Sequence, residues 1–336
     1  YLSTSSFVAE RGVEISRNLA ELYGGGLYGK ISSTMTLSDA VRVNDNKAFS
    51  SGGGIYASTT LVSARRGVEI SGNFAENYGG GIYGGQETHV ELSDGVEVMG
   101  NTAGSRLPPG QAPTWQLLPS AGGAVYIRGG SSLLAVGDSN RTSTIAAQGN
   151  ASTASANHEG NADPSASVLI APRSSVVIAD NYATSGGGVY AFECSVTLQD
   201  RVQVRGNTAV MRGGGLYVNT CPLFTLRREV NISGNVAEYG RGGGLHLYRV
   251  NFDFADSIEF SGNRALTDGG GVSISNTFRS ETYQGTFESG VVIRDNSASK
   301  GGGVFAEGGA ITLRDDVQVL GNVASGLELY LFTTDG

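Results

Sequence analysis

One motif recurs along almost the whole chain and constrains the fold more than any other feature. In residues 68–83 it has the form V-x-I-x-G-N-x-A, followed after a short spacer by G-G-G-I-Y. Most neighbouring copies lie 26 to 28 residues apart, a period that is typical of solenoids and other repeat folds. The asparagines that anchor the copies are Asn18, Asn46, Asn73, Asn101, Asn181, Asn207, Asn235, Asn263, Asn296 and Asn322.

The pattern inside each copy indicates strands and not helices. Val68 and Ile70 are apolar while Glu69 between them is polar, which is the period-two alternation of a strand with one buried face. A glycine triplet would destabilise a helix, since each glycine costs about 1 kcal/mol relative to alanine. We therefore predict an all-β fold, a single-stranded right-handed parallel β-helix with three short strands per coil. About 11 coils of 26–28 residues would form one continuous domain over residues 1–336.

The anchor asparagine and the residue before it have expected places in such a coil. The preceding residue is glycine or aspartate, as at Gly72 and Asp45, and both tolerate the positive φ of a tight corner. Stacked asparagines can donate to and accept from the copies above and below, so they are expected to form a buried ladder. A degenerate copy at Asn150 would supply a rung between Asn101 and Asn181.

Charged residues alternate in sign at the turn before the first valine of each motif. Opposite charges at one strand spacing form favourable pairs of about 0.2–1 kcal/mol each, and they help to fix the register of the coils. The alternative is a solvated face whose alternation is fortuitous. The column contains Arg11, Asp39, Arg66 and Asp94, and further on Asp200, Arg228 and Asp256.

The two cysteines occupy equivalent positions in neighbouring copies. Cys194 follows Gly188 by six residues, and Cys221 follows Gly215 by six residues. Their Cα atoms are therefore expected about 5 Å apart, which is within disulfide range. We predict a Cys194–Cys221 disulfide and an oxidising compartment; two buried thiols in a reduced protein are the alternative.

An aromatic residue usually follows the aliphatic residue of the glycine motif, and alternation predicts that it points outwards. We call this column the aromatic stripe. An exposed stripe could bind sugar rings or pack against a neighbouring subunit. Alternatively, the rings stack coil on coil and stabilise the rod. The stripe comprises Tyr28, Tyr56, Tyr83, Tyr126, Tyr190, Tyr217 and Phe305, and it is interrupted by His246 and Ser273.

Three stretches break the regularity, at about residues 104–121, 128–172 and 275–290. In solenoids such insertions form loops on one face, either as binding elements or as tolerated surface loops. Glycosylation sequons begin at Asn140, Asn150 and Asn231. Asn140 in a loop and Asn231 on an outward position are the predicted acceptors. Because the chain begins at Tyr1 in mid-pattern, we expect a segment of a larger protein.

Several functional classes are disfavoured by composition and spacing. The net charge of −8 does not suit a nucleic-acid partner, and no apolar run reaches the roughly 20 residues of a membrane span. His89, His158 and His246 lie in unrelated contexts, so no metal or triad spacing is seen and no cofactor is expected. Parallel β-helices include polysaccharide-degrading enzymes, but here the acidic residues are spread over many copies.

The repeat resembles that of the chlamydial polymorphic outer membrane proteins, which alternate G-G-A-I and F-x-x-N motifs. Phe260-Ser261-Gly262-Asn263 has the second motif, and Gly122-Gly123-Ala124-Val125 is close to the first. Similar repeats occur in large extracellular proteins of algae and protists. The resemblance implies a surface-exposed passenger domain that acts in adhesion.

These observations lead to one functional hypothesis and one alternative. The first is an extracellular structural or adhesive module of a cell-surface or filament protein, without an active site. Its partners would be copies of itself, other surface proteins or glycans. The alternative is a polysaccharide-active enzyme or a glycan-binding module.

Overall fold

The computed structural model describes residues 1–105, 120–136, 175–276 and 283–326. All regular elements in these ranges are β-strands, and every strand pairing is parallel. The strands form three sheets, one on each side of a solenoid. The predicted parallel β-helix is therefore confirmed.

The first sheet contains two strand segments from most coils. In two coils these segments run on as single long strands, Leu27–Ser38 and Ile55–Arg65. The remaining strands of this sheet are Leu2–Ser3, Ser6–Ala9, Ile82–Gly85, His89–Ser93, Val125–Arg128, Ser132–Val136, Val189–Phe192, Ser195–Gln199, Leu216–Asn219, Phe224–Arg227, Leu245–Tyr248, Phe252–Ala255, Val272–Ser275, Gln284–Phe287, Val304–Glu307 and Ala310–Leu313.

The second and third sheets lie on either side of the anchor asparagines. The second sheet has the strands Glu14–Ser16, Arg42–Asn44, Glu69–Ser71, Glu97–Met99, Val177–Ala179, Gln203–Arg205, Asn231–Ser233, Glu259–Ser261, Val292–Arg294 and Gln318–Leu320. The third sheet has the strands Leu19–Ala20, Lys47–Ala48, Phe74–Ala75, Thr102–Ala103, Tyr182–Ser185, Thr208–Arg212, Val236–Ala237, Arg264–Ala265, Ser297–Ala298 and Val323–Ala324.

The described residues make ten coils, one fewer than predicted. The strand Glu97–Met99 pairs directly with Val177–Ala179, and Asn101 hydrogen-bonds directly to Asn181. No rung therefore stands between these two asparagines, so the additional copy at Asn150 was wrong; Asn150 itself lies outside the described residues. The long gap belongs to insertions within one coil, which sequence spacing alone counted as an extra turn.

The structure also moves the edges of two insertions. Ser132–Val136 is a regular strand that pairs with His89–Ser93 and Ser195–Gln199, so the coil continues past residue 128. Gln284–Phe287 likewise pairs with strands on both sides inside the predicted 275–290 insertion. Regular pairing is thus retained on both sides of the interruptions that the sequence shows.

The inward residues of all coils form one continuous hydrophobic core. Val68 and Ile70 are fully buried, as the alternation predicted, while Glu69 between them is partly exposed. Towards the C-terminal half, phenylalanines fill this core, and Phe254 contacts Phe224, Phe260 and Phe287. Each coil buries its inner face only against its neighbours, which is the basis of solenoid stability.

Two glycine positions show why the motif is so restricted. Gly72 has a φ of 62°, and the aspartate at the same corner, Asp45, has a φ of 54°, so the predicted left-handed corner is confirmed. The second glycine of the triplet has a different constraint. A β-carbon on Gly80 would overlap the backbone carbonyls of Thr102 and Gly123, because the triplet packs between two strands.

Candidate functional site

The asparagine ladder runs through the interior along all ten coils. Asn235 shows its geometry: Oδ1 accepts from the backbone N–H and the Nδ2 of Asn207, at 3.0 and 2.9 Å. Its own Nδ2 donates to Val204 O and to Asn263 Oδ1, both at 2.9 Å. The amide thus makes four hydrogen bonds in a fully buried position, which leaves no buried donor or acceptor unsatisfied.

The remaining rungs repeat this arrangement. At the two ends, Asn18 donates to Asn46 Oδ1, and Asn322 Oδ1 accepts from Asn296. The ladder therefore joins all ten predicted asparagines into one chain of side-chain hydrogen bonds. Because the amides from Asn46 to Asn296 are buried and hydrogen-bonded to their neighbours, we assign the ladder to the scaffold and not to a ligand site.

The aromatic stripe lies on the outer surface of the first sheet, where register sets each ring above the next. Tyr28, Tyr56 and Tyr83 are directly paired neighbours, and the column continues through Tyr126 and Tyr190. Their ring centroids are 4.6 to 5.3 Å apart, and their planes differ by at most 9°. The rings therefore stack coil on coil.

Stacking reduces the exposure that an outward column was expected to have. Tyr126 and Tyr217 are only 6% and 5% exposed, so at these positions the structure favours the stacking alternative over an exposed row. Tyr28, Tyr56, Tyr83 and Tyr190 remain partly exposed. Burial by the neighbouring rings raises the pKa of Tyr56 above its ordinary value and that of Tyr217 to about 12. The phenols stay protonated at neutral pH.

The parallel stack ends at Tyr217. Its ring is turned by 74° to that of Tyr190, and the next position is His246, whose ring is tilted by 38° to Tyr217. His246 is 2% exposed, and burial together with the positive charges of Arg212 and Arg241 lowers its pKa to about 3. Ser273 then interrupts the column before Phe305, which lies beside the guanidinium of Arg241 at 5.9 Å.

A second column runs beside the stripe and was not recognised in the sequence. It consists of the residue directly before each glycine triplet, and we call it the spacer column. Each of its members pairs in parallel with a member in a neighbouring coil, so these residues also stack one above the other. The bridged members are Tyr23, Ser51, Tyr78, Ala121, Ser185, Arg212, Arg241, Asp268 and Lys300.

Large and small residues in the spacer column produce an open cavity that we call the spacer bay. Tyr78 leans over the following coil and contacts Tyr126, with centroids 4.8 Å apart. Ala121 and Ser185 leave room behind it, and Arg212 closes the far side. The bay has a volume of about 350 Å³, and the rings of Tyr126, Tyr190 and Tyr217 form its floor. A succession of small residues between tyrosine and arginine is the sequence signal that could have revealed it.

Polar groups surround this floor. The hydroxyls of Ser120 and Thr184 lie 2.7 Å apart, and the Thr184 backbone N–H donates to Ser120 Oγ at 3.2 Å. Asn219 Nδ2 donates to the Tyr190 hydroxyl at 3.2 Å. Within the described ranges, the guanidinium of Arg212 has no carboxylate in salt-bridge contact. The bay therefore combines an aromatic floor, neutral hydrogen-bonding groups and one unpaired positive charge.

The cysteines are adjacent, but they are not the predicted disulfide. Cys194 and Cys221 are free buried thiols whose sulfurs lie 3.8 Å apart. Side chains stacked in register point the same way at a strand spacing of about 4.8 Å, which exceeds the roughly 3.5–4.5 Å between the β-carbons of a disulfide. The hydrogen bond with Cys221 and burial raise the pKa of Cys194. The oxidising compartment was inferred from the disulfide, so the cysteines no longer support that inference.

The predicted charge column is present, and in two places it forms pairs. Arg66 lies 3.4 Å from Asp39, and Arg228 Nη2 donates to Asp200 Oδ2 at 2.8 Å.

Among the predicted glycosylation sites, Asn231 lies in a strand of the second sheet with a partly exposed side chain. Asn140 lies outside the described residues. Glycosylation of both asparagines stays a prediction.

Two further observations concern the part of the chain that the structure describes. No cluster of three or more histidine, cysteine, aspartate or glutamate side chains suits a metal ion there. No helix in the same ranges has the length and apolarity to cross a membrane.

The fold and the stacked columns define the class: a repetitive parallel β-solenoid with internal side-chain ladders. Residues 257–275 match the model of the Chlamydia polymorphic membrane protein repeat. This segment contains Phe260 and Asn263 of the F-x-x-N motif, so the resemblance inferred from the sequence is confirmed there. Neither the curated proteins nor the solved structures yielded a match to the chain.

Proposed function

We propose that this chain is a structural and adhesive module of a cell-surface or filament protein, and that it acts through its lateral faces. The observation that carries the proposal is the uninterrupted asparagine ladder, which joins all ten coils into one rod. A rod of stacked coils offers long lateral surfaces, as extended repeat proteins do. The chlamydial repeat match at 257–275 supports a location at the cell surface.

The proposal includes the absence of catalysis. Several acidic side chains that an enzyme could use are instead paired with arginines, as Asp200 is with Arg228 and Asp268 is with Arg241. Pairing of this kind stabilises the charged forms and leaves the carboxylates occupied. We therefore propose copies of the chain, other surface proteins and glycans as partners rather than a substrate that is cleaved.

The test combines adhesion with a search for catalysis. Beads coated with the purified chain should adhere to cells or glycan-coated surfaces more than beads coated with a denatured sample. Antibodies against the chain should label intact source cells. Release of oligosaccharides from a panel of acidic and neutral glycans would overturn the non-enzymatic proposal in favour of the polysaccharide-active alternative.

A further inference from the structure

The spacer bay has a shape that the coil geometry explains. A tyrosine in the spacer column leans over the next coil wherever that coil has a small residue, as Tyr23 does over Tyr56 and Tyr78 over Tyr126. Ser51 is a single small residue between Tyr23 and Tyr78 in the column, so Tyr23 covers the space beside it. Ala121 and Ser185 are two small residues in consecutive coils, so Tyr78 covers only the space beside Ala121. The space beside Ser185 stays open above Tyr190.

The far side of the bay carries an uncompensated charge. Arg212 is exposed, and the next residue of the column, Arg241, is also an arginine. Arg241 Nε lies 2.7 Å from Asp268, and its Nη1 lies 3.3 Å from Glu307, whereas Arg212 has no such partner in the described ranges. One of two stacked guanidinium groups is therefore neutralised, and the other faces the bay. An anion bound there would supply the missing partner.

The lining of the bay suits a polyhydroxylated ligand. The rings of Tyr126 and Tyr190 stack on each other with their planes only 3° apart, so they turn their edges and hydroxyls towards the bay. A sugar ring in the bay can lie against these ring edges, and its hydroxyls can bond to Thr184, Ser185 and Asn219. Sites of this volume combine an aromatic lining with a few placed polar groups. A single aspartate or glutamate side chain would pair with Arg212 but leave the hydroxyl and amide groups of the lining without partners.

We propose that the spacer bay binds a carboxylated sugar unit, a hexuronate, within an acidic polysaccharide. Arg212 holds the carboxylate, the edges of Tyr126 and Tyr190 contact the sugar ring, and the rim groups bond to its hydroxyls. This inference rests on the proposed function, since it names a ligand class for the lateral surface of the module. The ligand is bound and not cleaved.

The first experiment measures binding of trigalacturonate by calorimetry, with its methyl ester as the matched neutral ligand. The acid should bind, its affinity should fall as salt is added, and the ester should bind at least about tenfold more weakly. Equal binding of acid and ester, or no binding of the acid at millimolar concentration, would overturn the inference. This comparison requires no variant of the protein.

The second experiment locates the site with two arginines of one column. Arg212→Gln should weaken trigalacturonate binding about tenfold or more, since it removes the charge that holds the carboxylate. Arg241→Gln should change the affinity by less than about twofold, because that guanidinium is already paired. Thermal unfolding would verify that both variants fold. An unchanged affinity in Arg212→Gln contradicts the assignment.

Bead adhesion separates this inference from the broader proposal. If wild-type beads adhere and Arg212→Gln beads adhere equally well, the bay is not the adhesive site, although the module function stands. If the acid binds in the bay but beads do not adhere, the site is real and the adhesive role falls. Adhesion that is lost with Arg212→Gln and competed by trigalacturonate supports both.

Discussion

The asparagine ladder and the aromatic stripe are two columns of the same coils, yet they differ in how strictly each position is kept. The ladder has asparagine in all ten described coils, whereas two of the nine stripe positions from Tyr28 to Phe305 are His246 and Ser273. The eight ladder amides from Asn46 to Asn296 are buried and bond to asparagines on both sides, so any other residue there leaves buried partners unsatisfied. Several stripe rings are partly exposed and are held mainly by packing against their neighbours, which tolerates other residues.

The largest expected effect comes from removing one rung of the ladder. Asn235→Ala should lower the free energy of unfolding by about 3–5 kcal/mol, because it leaves the Val204 carbonyl and donors on Asn207 without partners. Asn231→Ala is the matched control in the same coil, since Asn231 is partly exposed. Urea denaturation measures both. Equal losses in the two variants would show that a ladder asparagine contributes no more to stability than a partly exposed one.

The interruption of the stripe at His246 predicts a pH dependence. The folded-state pKa of about 3 lies below the ordinary value near 6.5, so the fold favours neutral histidine. As the pH falls below 6.5 the unfolded chain gains a proton that the folded protein excludes, and stability is lost down to about pH 3. The loss from this group approaches about 1.4 kcal/mol per pH unit.

His246→Phe isolates this contribution, because Phe305 shows that the column accepts phenylalanine. Urea denaturation at pH 7 and pH 4.5 should show a loss about 2–3 kcal/mol larger in the wild type than in the variant. Titrating carboxylates are common to both proteins and cancel in the difference. The same pH dependence in both proteins would show that His246 is protonated within the fold.

Removing one ring from the stripe should have a smaller effect than removing a rung. Tyr83→Ala leaves gaps beside Tyr56 and Tyr126, and it should cost about 1–2 kcal/mol because the site is partly exposed. Tyr83→Phe keeps the ring and should cost less than about 0.5 kcal/mol. Thermal unfolding of the two variants compares stacking with the hydroxyl. A similar loss in both would attribute the effect to the hydroxyl and not to the stack.

The exposed charge column should contribute least. Arg66 and Asp39 lie 3.4 Å apart, and both side chains are more than a third exposed. Arg66→Gln should therefore change the free energy of unfolding by about 0.2–1 kcal/mol, and added salt should abolish the difference. A larger or salt-independent loss would show that the charge column, like the ladder, helps to fix the register of the coils.

Much of the fold follows from short-range patterns because each repeat contains all the information for one coil. Alternation places Val68 and Ile70 inside, and the residues before each asparagine define the left-handed corner. The asparagine ladder follows from identical spacing, which brings equal positions into register. The coil count failed only where insertions separate Asn101 from Asn181, since spacing no longer shows which coil comes next.

Period and register are present in every copy, so the repeats alone were enough to predict the parallel solenoid, its core and its polar ladder. The contacts between neighbouring columns became visible only in the folded molecule. It showed the burial of Tyr126 and Tyr217, the two cysteines as separate thiols and the spacer bay between Tyr78 and Arg212. These features depend on side-chain direction and on residues of different coils and columns, which lie far apart in the sequence.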